Sequence, residues 1–338
     1  MLAFMSIVTH TVNPRPRLTT YLVRNKVFAK SPVAIVDVGA RGGAEKQWQI
    51  YRDQYTMTGF EADEKECMGL NKTAPKHERY YPVALGRTNG KIRFFIHPHA
   101  ATSGFYKSDA SFLERFPGSK PLIPRTATTI STINFATFAK KNKIGDIDFM
   151  KIDVEGAELD VLQGLGKKCE DSLVGISAEA VFYPWRHGMP TFAELDTFLR
   201  AHRFVLYDLP IFRWEKKSTS PYMFTDGVFG PTDKGQVVWT QTLYLKDAVA
   251  ELKSPSRRKH WNSLKILKLA SIMELYQLED CAIELIQEAA TLGLLKTYNV
   301  KKMINLLTPP INGRTVSYAQ YVEHVRREGP PRYINGRR

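Results

Sequence analysis

VAIVDVGARGG, residues 33–43, is the stretch that decides the fold of this chain. Its apolar, mostly β-branched run is typical of a strand buried on both faces, as in a parallel sheet. The glycines that follow predict a tight turn in which backbone N–H groups approach a ligand, and a helix is expected to begin near Ala44. The stretch therefore predicts the cofactor loop of a nucleotide-binding α/β domain.

The order of residues in this glycine turn bears on the cofactor. A dinucleotide-binding turn has the pattern G-x-G-x-x-G, whereas here the middle glycine is replaced by Arg41. A bulky side chain at that position argues against a pyrophosphate pressed onto the turn. It is compatible with a ligand without phosphates, such as S-adenosylmethionine. A plain strand-to-helix turn, with glycines needed only for packing, is the alternative at this point.

The composition is that of a globular protein with excess positive charge. The 338 residues are 43% hydrophobic, which predicts a well-filled core, and their formal net charge is +14. This charge indicates nucleic acid, an anionic membrane surface or an acidic substrate as a partner. The widely spaced cysteines predict reduced thiols in a cytoplasmic protein. The opening residues 1–8 make a poor signal peptide, and no segment has the ~20 apolar residues of a membrane span.

A second predicted strand, residues 55–60, is followed by Glu61, which lies 24 residues after Asp37. An acid at this place in a nucleotide-binding fold can accept hydrogen bonds from both ribose hydroxyls of an adenosine. Two carboxylate oxygens match two adjacent O–H donors, which is why an acid suits this position. A third strand, residues 79–86, is expected to end beside the adenine ring. The alternative for Glu61 is an exposed strand end without a ligand.

The stretch IDFMKIDVEGAE, residues 147–158, predicts a buried strand followed by a helix over 157–165. Lys151 and Asp153 lie on one face of the strand because side chains alternate with a period of two. Charges at the carboxyl end of a central strand lie where open α/β sheets bind ligands. Buried charges are costly unless they are paired or used. A functional pair is expected here, with a structural Lys151–Asp153 ion pair as the alternative.

Two loops are candidates for the edge of the site. One predicted strand ends at Glu179 and is followed by Tyr183, Trp185 and His187, an aromatic and basic loop that suits a substrate lip. The other loop begins at His97 and contains a second histidine and two hydroxyl residues. A solvent-facing loop without chemistry is the alternative for these histidines.

The chain is expected to have three parts: an N-terminal arm (1–30), an α/β domain (31–250) and a basic helical C-terminal extension (251–338). From Lys246 onward there are sixteen Lys and Arg against nine Asp and Glu, so half of the excess charge lies there. Such a tail could contact an anionic membrane face or nucleic acid, but a solvated charged face on a helical cap is the favoured explanation. A lid or binding loop is predicted from the aromatic residues Trp214, Tyr222, Phe224, Phe229 and Trp239.

Together these stretches resemble the FkbM family of methyltransferases. The resemblance covers about residues 33–210, and its most specific part is KIDVEGAE at 151–158. It implies a class I methyltransferase (Rossmann-like) fold, an α/β three-layer sandwich with a central mostly parallel sheet, here with a C-terminal helical extension. It also implies S-adenosylmethionine as donor and O-methylation of a hydroxyl, often on a sugar, a glycan or a natural product. The stretches that carry it are DVGARGG at 37–43, GFEAD at 59–63, VALG at 83–86, TSGFY at 102–106, IDFMKIDVEGAELDVLQG at 147–164 and the strand ending at Glu179.

The resemblance also implies roles for single residues. Family members often have asparagine where Arg41 stands. The residues expected at the donor site are Asp37, Gly39, Ala40 and Gly43 for the methionine part, Arg41 from the same turn, Glu61 for the ribose, Ala84 and Leu85 near the adenine, and Ser103 and Asp153 facing the donor.

Methyl transfer to a hydroxyl needs positioning and a base. The acceptor oxygen approaches a sulfonium donor in line, and a base within ~3 Å removes the hydroxyl proton. Asp153 is the first candidate for this base and Glu179 the second, followed by His97 or His187. Glu155 is a further catalytic candidate. Lys151 could orient the acceptor or stabilise a developing alkoxide. A divalent metal held by Asp153 and Glu179 is compatible with these residues but not required by them.

Two other functions stay open from the sequence. One is a nicotinamide-dependent oxidoreductase, against which Arg41 in the glycine turn argues. The other is a non-catalytic Rossmann-like binding protein whose basic tail contacts nucleic acid or membrane, because a fold does not fix an activity. For the methyltransferase, the expected partner is a small-molecule or glycan acceptor.

Overall fold

The predicted opening strand is present in the computed structural model, which describes residues 10–219 and 235–329. The predicted lid residues Tyr222, Phe224 and Phe229 lie outside the described residues. The strands of the described ranges are β1 Val33–Val38, β2 Tyr55–Phe60, β3 Glu78–Tyr81, β4 Ala84–Leu85, β5 Gly90–Ile96, β6 Thr126–Ile133, β7 Phe149–Ile152, β8 Gly175–Val181, β9 Phe204–Asp208, β10 Ile211–Trp214 and β11 Gln236–Lys246.

The main sheet is mostly parallel. Among the described residues it has eight strands in the order β10-β11-β8-β7-β1-β2-β3, and β9 pairs with β11. Strands β8, β7, β1, β2 and β3 run parallel, whereas β11 is antiparallel to β8 and to both β9 and β10. A second sheet has the order β4-β6-β5. The predicted α/β fold with a mostly parallel central sheet and C-terminal helices is confirmed.

Helices lie before, between and after the strands. The described α-helices are α1 Arg17–Arg24, α2 Glu64–Thr73, α3 Ala110–Leu113, α4 Phe135–Asn142, α5 Glu158–Gln163, α6 Lys167–Ser172, α7 Phe192–Ala201, α8 Ala248–Lys253, α9 Pro255–Arg258, α10 Ser263–Leu275, α11 Glu279–Thr291, α12 Val300–Leu307 and α13 Tyr318–Glu328. None of these described helices combines the length and the apolar character that a bilayer crossing requires.

The core confirms that β1 is buried on both faces. On one face Val36 and Val38 belong to a cluster that includes Phe135 of α4 and Leu162 of α5. On the other face Ile35 is 1% exposed. Burial on both sides explains why the strand reads as a continuous apolar run rather than an alternating one.

Three local predictions are wrong. A 3₁₀ helix over Lys46–Tyr51, rather than an α-helix from Ala44, follows β1, because the left-handed Gly42 and Gly43 first redirect the chain. The third strand is split into β3 and β4 at Pro82, whose missing N–H cannot continue a ladder. Trp214 and Trp239, predicted in a lid, lie in β10 and β11, where ring stacking and burial use their aromatic surface.

The described residues group into two compact units. The first contains His10, residues 32–48 and the described part of 55–246, and the second contains residues 11–31, 49–54 and 247–329. The predicted three-part division of the chain stays a prediction.

Helix α10 is the centre of the second unit. Every residue from Ile266 to Leu275 is buried. Its buried Glu274 accepts hydrogen bonds from the backbone N–H groups of Leu18 and Thr19, both at 2.7 Å. A carboxylate that satisfies the free N–H groups at the start of α1 allows a polar residue inside this helical core.

Substitution of Gly39 tests the close contact between the glycine turn and the backbone of Asp153. Gly39→Ala is expected to lower the free energy of unfolding by ~2 kcal/mol or more, because an L residue at a left-handed φ is strained. In addition, its Cβ would lie 1.9 Å from the carbonyl oxygen of Asp153. Gly42→Ala is the matched control, since Gly42 has nearly the same φ but no atom within 4 Å of the added Cβ. Urea denaturation of both variants measures the difference, and equal stabilities would contradict the proposed close contact.

Candidate functional site

A cavity of about 290 Å³ opens where β1, β2 and β7 end. Parallel strands present their carboxyl ends at one edge of a sheet, and ligands of open α/β sheets bind at that edge. Val38, Phe60, Val83 and Phe94 supply apolar wall. The cavity brings together nine residues predicted for the site: Gly39, Arg41, Glu61, Ala84, Leu85, Ser103, Lys151, Asp153 and Glu155.

Lys151 joins two carboxylates from neighbouring strands. Its Nζ lies 3.4 Å from Oδ1 of Asp37 and 3.5 Å from Oδ2 of Asp153. Burial lowers the pKa of Lys151, but the two carboxylates outweigh this and raise it above its usual range. Burial raises the pKa of Asp37 to about 6, against the opposing effect of Lys151. The predicted ion pair thus exists, and it also fixes Asp153 at the cavity.

Glu61 lies at the other acidic position of the cavity, and Arg41 extends toward it. The Glu61 side chain is largely buried and accepts a hydrogen bond from the backbone N–H of Asp63 at 2.8 Å. Nη2 of Arg41 lies 3.7 Å from Glu61 and 3.1 Å from Asp63. Burial raises the pKa of Glu61, while the Asp63 N–H and Arg41 oppose this rise. Arg41 therefore neutralises part of the acidic charge at this end.

The backbone N–H groups of the glycine turn are used within the protein. Those of Gly39 and Ala40 both donate to the carbonyl of Phe60 at 2.9 Å, and that of Gly43 donates to the carbonyl of Ala40 at 3.0 Å. The prediction that these three N–H groups approach a ligand is wrong. Gly39 instead allows the turn to come close to Asp153, because it has no Cβ.

Three carboxylates meet where β7 and β8 end. Oxygens of Asp153, Glu155 and Glu179 lie within 4.8 Å of one another. Burial raises the pKa of Glu179 well above its usual range, and the negative charges of Glu155 and Asp153 raise it further. Burial likewise raises the pKa of Glu155, and the nearby guanidinium of Arg186 counteracts the rise. Burial and mutual repulsion therefore both make it harder for these three acids to carry their negative charges at the same time.

Arg186 and Glu158 are the two functional candidates that sequence reasoning missed. Arg186 is fully buried, and its Nη2 lies 2.5 Å from Oε2 of Glu155. Glu158 accepts hydrogen bonds from the backbone N–H groups of Val154 and Gly156 at 2.9 and 3.2 Å. A single arginine in an aromatic loop carries no periodic signal. Glu158 was visible within the KIDVEGAE stretch, but its hydrogen bonds to the preceding turn were not.

Three carboxylates at this spacing could in principle bind a divalent cation. One of them, Glu155, already has a guanidinium at 2.5 Å, and another, Asp153, has an ammonium at 3.5 Å. The protein itself thus supplies the positive charge that a metal would bring. These residues fit a metal centre poorly.

His97 is buried away from solvent. Its Nδ1 donates to the carbonyl of Thr102, and its Nε2 lies 3.2 Å from Oγ of Ser108. Burial lowers the pKa of His97 to about 4, so the ring is neutral at physiological pH. Its contacts brace the loop that carries Ser103. His97 is not among the described residues that line the cavity.

The predicted lip is only partly exposed. Tyr183 is 43% exposed and stacks on Phe112 with ring centroids 4.4 Å apart. His187 is exposed too. Trp185, by contrast, is 4% exposed and packs in an apolar cluster with Phe112, so its predicted place at the lip is wrong. The hydrophobic effect favours burying this large apolar ring in the cluster, and the Trp185 carbonyl accepts a hydrogen bond from the N–H of Asp109 at 2.9 Å.

The fold is a Rossmann-like α/β arrangement, with a mostly parallel sheet and the site at its carboxyl edge. The family model of the methyltransferase FkbM domain matches residues 37–206, which is half of the chain. The chain belongs to the FkbM methyltransferase family and is an S-adenosylmethionine-dependent methyltransferase. This assignment favours methyl transfer over the nicotinamide-dependent alternative. A comparison with curated protein sequences gives no match.

The solved structures that match this chain share little of its sequence. A precorrin-6y C5,15-methyltransferase from Geobacter metallireducens is 11% identical, with 68% of this chain and 87% of that chain covered and a TM-score of 0.33. A magnesium protoporphyrin IX methyltransferase from Synechocystis with bound S-adenosylmethionine is 9% identical, with coverages of 69% and 80% and a TM-score of 0.31. The N-terminal domain of EvdMO1 with bound S-adenosylhomocysteine is 12% identical, with coverages of 70% and 82% and a TM-score of 0.32.

Because His97 is buried, we expect its ring to be protonated only at low pH. In a pH series followed by NMR of the imidazole nitrogens, the His97 signal is expected to stay that of a neutral ring between pH 5 and 8, since its pKa lies at about 4. The signal that disappears in His97→Asn provides the assignment. A midpoint between pH 6 and 7 would show that the ring is solvated and would contradict its bracing role.

Proposed function

We propose that this methyltransferase transfers a methyl group from S-adenosylmethionine to a hydroxyl on a sugar, a glycan or a natural product. The supporting observation is that one cavity is lined by Glu61 and also by Asp153 and Glu155. The first acid suits the ribose of the donor, and the other two suit an alcohol that must lose a proton. Both chemistries are therefore accommodated in one site.

The residues of the cavity fit the donor in chemical character. Phe60, Val83 and Leu85 offer apolar surface for the adenine, and the two oxygens of Glu61 can accept from the ribose hydroxyls. We place the methionine part near Gly39 and Lys151. Asp37, Ala40 and Gly43 would support the methionine part without lining the cavity. Asp37 and Ala40 are buried, and Gly43 faces Tyr80. When bound, S-adenosylmethionine supplies the activated methyl group.

The acceptor hydroxyl would lie near Ser103, Asp153 and Glu155. Carboxylates and a hydroxyl are hydrogen-bonding partners for a polyol, and exposed Tyr183 and His187 could contact the rest of a larger acceptor. The basic residues after Lys246 could add contact with an anionic surface. The cytoplasm is the compartment that unpaired Cys67 and Cys281 favour.

Glu61 provides the test of the donor site. Glu61→Ala is expected to weaken S-adenosylmethionine binding by about tenfold or more, or about 1.4 kcal/mol, measured by calorimetry. Because burial raises the pKa of Glu61, the affinity of the wild type should also fall as the pH drops through the titration of this carboxyl, whereas that of the variant should not. Glu66→Ala is the matched control, because Glu66 also lies 3.7 Å from Arg41 but outside the cavity lining. Equal affinities for all three proteins would contradict the ribose assignment.

Transfer of a tritiated methyl group tests the reaction. Incubation with labelled S-adenosylmethionine and a panel of saccharides and cell-envelope extracts is expected to give label in an alkali-stable ether, which marks O-methylation of a hydroxyl. Glu61→Ala is expected to reduce this labelling at limiting donor. Label found in an amine or in an alkali-labile ester would contradict hydroxyl methylation while leaving the donor site intact.

A further inference from the structure

Arg186 is a buried cation with an unusual set of partners. Its side chain is fully buried, its Nη2 lies 2.5 Å from Oε2 of Glu155, and the same nitrogen donates to the carbonyl of Thr102 at 2.9 Å. The guanidinium stacks on the ring of Trp185 at 4.3 Å. Nε and Nη1 have no hydrogen-bond partner among the described residues. A desolvated guanidinium is costly to keep, so its retention calls for a reason beyond packing.

The backbone around Arg186 is fixed by pairing with another loop. The carbonyl of Trp185 accepts from the N–H of Asp109 at 2.9 Å, and the N–H of His187 donates to the carbonyl of Lys107 at 2.8 Å. Gly104 leaves the room that the guanidinium needs, since a Cβ there would lie 2.6 Å from Nη1. The position of the guanidinium is therefore determined by two loops at once.

The backbone of Glu155 is held just as firmly. Its φ is +59°, a left-handed conformation that is strained for a residue with a side chain. Glu158 accepts hydrogen bonds from the N–H groups of Val154 and Gly156, on either side of Glu155. The Glu155 side chain lines the donor cavity together with Ser103 and Asp153. Strain of this kind is typical of functional sites, where the surrounding structure maintains it.

Glu155 is better placed to take a proton than its two acidic neighbours. Asp153 is paired with Lys151 at 3.5 Å, and its side chain is 41% exposed. Glu179 does not line the donor cavity, and burial among like charges raises its pKa. The charged groups that act on Glu155 are Arg186, Asp153, Glu158 and Glu179. Arg186 is the positive one among them, and it opposes the effect of burial on the pKa of Glu155.

We propose that Glu155 is the proton acceptor for the acceptor hydroxyl and that Arg186 is the positioning residue that keeps its carboxylate ionised and aimed into the cavity. This inference rests on the proposed hydroxyl methylation. The hydroxyl oxygen gains the methyl group as the carbon–sulfur bond breaks, and the electron pair of that bond stays on sulfur. The hydroxyl proton passes to a carboxylate oxygen of Glu155.

Two readouts test the pair. The first, which needs no acceptor, is an infrared titration of the Glu155 carboxylate, identified as the band lost in Glu155→Gln. Arg186→Met is expected to raise its midpoint by about one pH unit or more, because a positive neighbour has been removed. The second is the pH profile of methyl transfer to the saccharide that the labelling panel identifies. There the acidic limb of kcat/KM should move up by the same amount, and kcat at pH 7 should fall about tenfold or more.

Matched variants separate positioning from folding. Arg186→Lys keeps the charge but cannot hold Glu155 and Thr102 through one planar group, so it is expected to keep the titration midpoint and lose about fivefold in kcat. Arg200→Met, which removes an exposed ion pair with Asp196 on α7, is expected to change neither readout. If Arg186→Met does not fold, the kcat of Arg186→Lys tests whether Arg186 positions Glu155. S-adenosylmethionine affinity measured by calorimetry should stay within about threefold in all three variants.

An unchanged Glu155 midpoint in Arg186→Met, or a wild-type kcat in Arg186→Lys, would overturn the proposal. So would a wild-type pH profile for Glu155→Gln, because another group would then take the proton. The infrared titration is independent of any acceptor. Absence of methyl transfer to every saccharide would therefore count against the proposed function, and the titration would still decide whether Arg186 controls Glu155.

Discussion

The site depends on the ion pairs that the Lys151 ammonium makes with two carboxylates. This ammonium joins Asp37 at the end of β1 to Asp153 just after β7, across adjacent parallel strands. A lysine and two acids at the carboxyl edge of a buried sheet would be costly singly, and each stabilises the others. The close approach of the glycine turn to Asp153 makes the arrangement compact. Together they determine where the cavity lies and which acid faces it.

The cavity has two acidic ends, each with its own arginine. Arg41 extends from the glycine turn toward Glu61, and Arg186 reaches Glu155 from the loop after β8. The two pairs differ in burial, since Arg41 is 33% exposed and Arg186 is not exposed at all. An exposed pair is weakened by solvent, whereas a buried one holds a fixed geometry. This difference agrees with the two proposed roles, in which the Glu61 end binds and releases the donor and Arg186 aims the carboxylate of Glu155.

The loops around this edge are supported by residues that do not enter the cavity. His97 braces the loop with Ser103, Glu158 fixes the turn with Glu155, and Trp185 secures the chain beside Arg186. Each has a buried or hydrogen-bonded side chain that is set by its immediate neighbours. Positioning contributes strongly to transfer between two bound groups, so this second layer of contacts bears directly on function.

The sequence by itself determined the parallel sheet, the family and the edge at which the acids gather. An unbroken apolar run predicts a strand buried on both faces, and parallel strands end together, so Asp37, Glu61 and Asp153 had to be neighbours. Only the tertiary structure decided that the turn's N–H groups are used internally, that Trp185 is buried and that Arg186 pairs with Glu155. Those contacts join loops far apart in the chain, and no local period or propensity encodes them.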